Sequence, residues 1–136
     1  MTESQDIWRP WREFLKAMPP PVGPHIQRIE NSAGRGQPDV EACWHGVQAW
    51  IELKIVKGNR LIFRPAQPDW IRKRWATGGR VYVLARKADV LYLFPAAIVN
   101  DPVYNGSIKP IFVTKIPFDW AGLQKTIFAA RVTLAA

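Results

Sequence analysis

Cysteine occurs once in this 136-residue chain, at Cys43, so no intrachain disulfide can form and a small disulfide-stapled secreted fold is excluded. Histidine occurs twice, and His25 and His45 share no ligand spacing with each other or with Cys43, which argues against a zinc site. Long hydrophobic runs are missing as well. The longest, Val90 to Val99, is about half of what a spanning helix needs and is broken by Pro95. Acidic residues are scarce: eleven Asp and Glu stand against nineteen Lys and Arg, a formal charge of +8. Such an excess favours a polyanionic partner without specifying fold or chemistry. The opening residues, Met1-Thr-Glu-Ser-Gln-Asp, are polar and acidic rather than basic and apolar. The expectation is therefore a cytoplasmic protein, neither secreted nor partnered with a membrane.

Apolar residues make up 48% of the chain, enough for a core, and the length is that of one domain. Trp8, Trp11, Phe14, Leu15 and Met18 recur at helical spacing and predict a helix over Ile7 to Met18, which Pro19-Pro20-Pro21 stops. Strand-like stretches follow at His25 to Glu30, Asp39 to Trp44 and Val47 to Val56. Gln67 to Thr77 reads as a helix with Pro68 in its first turn, Gly78-Gly79 beyond its end, and Trp70, Ile71 and Trp75 as its buried stripe. Val81 to Ala85 and Val90 to Phe94 read as two more strands, Asn105-Gly106 as a hairpin turn, and Asp119 as the cap of a last helix carrying Leu123, Ile127 and Phe128. Elements in this order indicate an α/β domain, a sheet flanked by helices. Cys43 is expected to be a small buried residue.

The informative segment is the pair of strands around His45-Gly46. Side chains alternate between the faces of a strand, so Val47, Ala49, Ile51, Leu53 and Ile55 share an apolar face, while Gln48, Trp50, Glu52 and Lys54 share the other. Val40, Ala42 and Trp44 share a face in the preceding strand. A symmetric hairpin at His45-Gly46 opposes Trp44 to Val47, Ala42 to Ala49 and Val40 to Ile51, so that the apolar faces coincide; a one-residue slip would turn one of them to water. This register sets Asp39 opposite Glu52, with β-carbons roughly 5 Å apart. Two carboxylates so placed repel unless cations join them. Lys54, two residues along the same face, supplies one positive charge, and a divalent metal would supply the rest.

Pro38-Asp39 followed by Glu52-Leu53-Lys54 resembles the PD-(D/E)XK nuclease superfamily. The longer frame of Gly36-x-Pro38-Asp39, Ile51-Glu52-Leu53-Lys54, Gln67-x-x-Trp70-Ile71 and Gly79-Arg80-Val81-Tyr82-Val83 resembles its small stand-alone branch, the virus-type replication-repair (VRR-NUC) and Holliday-junction-resolvase-like nucleases. The matched core runs from about residue 26 to 85, leaving 95–136 as a C-terminal extension of one nuclease-like domain. The resemblance implies a restriction-endonuclease-like fold with a central mixed sheet. It implies a metal-dependent DNA endonuclease, acting as a homodimer on DNA in recombination, repair or phage genome processing.

By the same resemblance Asp39, Glu52 and the Leu53 carbonyl would hold Mg²⁺ or Mn²⁺, whose preference for hard oxygen ligands they suit. Lys54 would hold the attacking water and stabilise charge at phosphorus, and Gln67 would orient that water or a phosphate oxygen. The family's additional acidic residue is either Glu30, just before the motif, or Glu13, in the first helix. Lys57, Arg60 and Arg64 after the catalytic strand, Arg72 and Lys73 on the following helix, and Arg28 and Arg35 flanking the approach to Asp39 are candidates for DNA-backbone contacts. The competing reading is a non-catalytic basic nucleic-acid-binding protein in which only the charge matters.

Overall fold

The hairpin that carries the candidate acids closes where two consecutive residues accept positive φ. In the computed structural model, which describes residues 1–29 and 36–130, His45 has φ 52° and Gly46 φ 76°. Positive φ at both central residues is the mark of the type I′ turn, whose twist matches that of the strands it joins. Strands β2 (Val40–Trp44) and β3 (Val47–Ile55) pair in the expected register, Trp44 with Val47, Ala42 with Ala49 and Val40 with Ile51. Strand β1 (His25–Arg28) adds antiparallel to β2.

Helix α2 (Ala66–Ala76) then crosses over and returns the chain to β4 (Val81–Lys87), which lies parallel to β3. Strands β5 (Val90–Pro95) and β6 (Phe112–Lys115) complete an antiparallel meander, so the six strands follow chain order and β3 and β4 form the parallel pair of a mixed sheet. A parallel pair needs cover on both faces. A π-helical turn (Ser4–Trp8) leading into α1 (Arg9–Leu15), together with α3 (Trp120–Ile127), covers one face. There Ile7, Trp11, Leu123 and Ile127 pack on Val40, Ile51, Leu53, Leu84 and Leu93. The other face is covered by α2 and a 3₁₀ turn (Ala96–Asn100), whose Ile71 and Ile98 pack on Val81, Val83, Ala85 and Phe94. This is the restriction-endonuclease-like architecture expected from the resemblance.

Several local expectations are corrected. The first helix begins earlier and ends at Leu15, before the proline run is reached. Trp75 is not part of the buried stripe but 50% exposed. Two four-residue steps from Gln67 rotate it about 80° around the helix, off the inward face held by Gln67 and Ile71. Cys43 is exposed because its face of β2 lies open to solvent, where Glu41 accepts hydrogen bonds from Gln27 (2.9 Å) and Gln48 (3.0 Å). Asn105-Gly106 does form a turn, with the Gly106 amide donating to the Val103 carbonyl at 3.1 Å, but no hairpin flanks it; Val103 instead bridges Arg60. The segment after Phe94 extends the sheet through β6. Asp119 caps α3 by accepting from the Gly122 amide at 2.8 Å, as its position in the sequence led one to expect.

Candidate active site

Asp39 stands just past the end of the β2–β3 ladder, opposite Glu52. Gly36 takes φ 74°, and a β-carbon there would collide with the Ala66 carbonyl, so the segment leading to Asp39 packs directly on the start of α2. The Asp39 carboxylate accepts a hydrogen bond from the Leu53 amide at 3.0 Å and adjoins the Glu52 carboxyl. Along β3 and just past its end, the amides of Trp50 and Val56 donate to the carbonyls of Arg80 and Arg86, on the side of β4. Alternation therefore turns the Leu53 amide and carbonyl toward the side that β2 has vacated, the side of Asp39.

Glu52 is fully buried and Lys54 is 8% exposed. Both are organised by Gln67, at the second position of α2, which is buried rather than facing solvent. The Gln67 amide nitrogen donates to Glu52 Oε2, while its oxygen accepts from Lys54 Nζ at 3.0 Å and from the Arg64 backbone amide at 2.8 Å. Lys54 Nζ also sits 4.9 Å from the centre of the Phe63 ring. The amide of Gln67 thus stands between Glu52 and Lys54, which form no direct ion pair. Glu52 Oε1 is buried with no hydrogen-bond partner among the described residues.

Burial, then the adjoining Asp39 carboxyl, push the Glu52 carboxyl up to about 9, against the opposing pull of Lys54 and Arg64. A site that buries one carboxyl against another and leaves an oxygen unmatched calls for a cation. Two carboxylates and a carbonyl on the same side fit a hard divalent ion such as Mg²⁺ or Mn²⁺. Among the described residues no cluster of three acidic, histidine or cysteine side chains gathers.

Arg28 and Arg64 line the cleft over Asp39, Leu53, Lys54 and Gln67. The other expected contacts are not brought to it. Arg72 is tied to the 3₁₀ turn, donating to Asn100 Oδ1 at 2.8 Å, and Lys73 pairs with Asp69 at 3.0 Å. Lys57 and Arg60 form a bridged turn beyond β3, where Arg60 helps hold the Asp101 carboxyl below the usual carboxylate range after its bonds from Ser107. Glu30 and Arg35 lie outside the described residues. Glu13 is exposed and pairs with Lys16 at 2.9 Å, away from the site. The acid that does line the cleft is Glu3, ahead of the first helical turn. No local signal in the sequence marks Glu3, since only packing of that helix on the sheet brings it in.

No family model and no curated protein sequence matches this chain. Its fold is similar to that of Archaeoglobus fulgidus Hjc, a Holliday junction resolvase from an archaeal hyperthermophile, with a TM-score of 0.51 over 85% of this chain and 86% of that one. The two are 17% identical, a likeness of fold. Among the described residues no helix is long and apolar enough to cross a membrane.

Proposed function

We propose that this protein is a divalent-metal-dependent deoxyribonuclease of the Holliday-junction-resolvase kind, hydrolysing phosphodiester bonds in DNA. The observation that carries this reading is the Asp39–Glu52 pair: Glu52 is buried with one oxygen unmatched, and Asp39 lines a cleft together with Lys54, Arg28 and Arg64. The fold it shares with a resolvase and the net charge of +8 support the same reading.

Asp39, Glu52 and the Leu53 carbonyl would hold the ion, which would polarise the phosphoryl group and lower the pKa of the attacking water. Lys54 holds that water and offers its ammonium to the charge that grows at phosphorus. Gln67 keeps the ammonium from collapsing onto Glu52, so both remain available to substrate. Glu3, at the rim, takes the place of the additional acidic residue.

The test is digestion of a labelled panel of linear duplex, single strand, flap and four-way junction, with Mg²⁺, Mn²⁺ or EDTA. Cleavage is expected only with metal, and Asp39→Asn and Glu52→Gln should each lower it by at least about two orders of magnitude while DNA binding persists. Full cleavage by both variants removes the reading. Salt-sensitive binding with no cleavage under either metal would mark the protein as a non-catalytic DNA binder.

A further inference from the structure

A second cleft of about 600 Å³ opens from the first at Arg28, Asp39 and Arg64 and runs under the first helix, where Ser4, Trp8 and Arg12 line it. Its charge is lopsided, with three guanidinium groups against the single carboxylate of Asp39, which already accepts from the Leu53 amide. Arg12, Arg28 and Arg64 form no ion pair among the described residues, where both ion pairs lie elsewhere, at Lys16–Glu13 and Lys73–Asp69. Arg28 Nη1 is buried and has no hydrogen-bond partner among those residues. An unmatched buried guanidinium nitrogen is costly, and an anion reaching into the cleft would match it. The fourth wall is the Trp8 side chain, packed partly on the core and edge-on to Trp11 at 6.3 Å.

A cleft of this size lies within the roughly 300–1,000 Å³ range of small-ligand sites. Its volume suits one nucleotide and not a base-paired duplex. An aromatic wall with arginines beside it is the pairing that holds an unpaired base and its phosphate. We propose that this cleft is a nucleotide subsite for one unpaired nucleotide next to the scissile phosphate, with Arg12 and Arg28 on its phosphate and Trp8 against its base. The inference rests on the nuclease reading for its register relative to the cut. Within that reading it favours DNA in which the strand being cut carries an unpaired nucleotide at the cleavage point. Fully paired duplex leaves the subsite empty.

Binding in EDTA tests this without requiring cleavage. Fluorescence anisotropy would compare a labelled duplex carrying a single-stranded thymidine tail with the same duplex blunt-ended. The wild-type protein should bind the tailed form about tenfold more tightly, the scale of one base stacked on an aromatic ring. Arg12→Ala, an exposed position that should not disturb folding, is expected to reduce that preference severalfold and to lower the salt slope on tailed DNA by about one. Trp8→Leu should abolish the preference and Trp8→Tyr should retain most of it, a contrast that loss of packing alone would not produce. Equal affinity of the wild-type protein for the two DNAs, or an undiminished preference in both Arg12→Ala and Trp8→Leu, overturns the proposal. If tailed DNA is preferred through Trp8 and Arg12 but no DNA is cut with Mg²⁺ or Mn²⁺, the nuclease reading fails while the subsite stands.

Discussion

Two glutamines are buried to nearly the same degree in this fold, Gln67 at 1% and Gln124 at 5% exposure, and they answer to opposite demands. Gln124, on α3, accepts from Trp11 Nε1 at 3.0 Å, and Trp11 stacks on Trp120 with ring centres 5.9 Å apart. Every partner there is neutral, so the bond satisfies an indole and closes the core. Gln67 instead divides a carboxyl from an ammonium, spends both of its amide atoms on them and on the Arg64 amide, itself lines the cleft, and still leaves the buried Glu52 Oε1 unmatched. Burial of a polar side chain therefore does not distinguish structure from chemistry in this protein. What sets Gln67 apart is the pair of ionisable groups it bridges, one of them with a buried oxygen left unmatched.

The sharpest way to press that contrast is to remove the charge that Gln67 holds. Lys54→Met keeps most of the side-chain volume, and metal-dependent cleavage should fall about 10²- to 10³-fold in single-turnover assays, with DNA affinity changed far less.

The next effect is on stability. Glu52 binds its proton more tightly folded, at about 9, than unfolded, at the ordinary 4.5. Between those values the folded state holds more protons than the unfolded one, so stability falls as pH rises. In EDTA, the melting temperature should decline from pH 5 toward pH 9, and Glu52→Gln should flatten that decline. Divalent metal, which binds the charged form, should raise the melting temperature most at the alkaline end.

The smallest effect lies at the neutral partner. Gln124→Leu strands the Trp11 indole at a cost of about 1–3 kcal/mol, read in denaturant melts, and should leave cleavage per folded molecule unchanged. A large loss of cleavage there would erase the distinction between the two glutamines.

The hairpin holding Asp39 and Glu52 was legible because its information is local. Period-two alternation in Val47–Ile55 and a turn of two residues that accept positive φ leave one register that buries both apolar faces. The cap at Asp119 and the inward positions Leu123 and Ile127 were legible for the same reason. Trp75 is exposed because it lies about 80° around the helix from Gln67, off the inward face that the apolar spacing suggests it shares. Arg72 and Lys73 meet Asn100 and Asp69 and do not line the cleft over Asp39, an arrangement set by the helix packing. Glu3, Trp8 and Arg12 carry no local sign of lying near Asp39, since they line clefts with it only when the first helix docks on the sheet.

By itself the sequence determined the pairing of β2 with β3, and with it the meeting of Asp39, Glu52 and Lys54, because strand alternation and turn conformation are set within a few residues. Only the tertiary structure decided that Gln67 would come between acid and ammonium, that Glu3 rather than Glu13 would reach the cleft, and that three arginines and Trp8 would gather beside it. Those juxtapositions depend on how helices cross the sheet, and helix packing answers to the shape of the whole core rather than to any neighbouring stretch of chain.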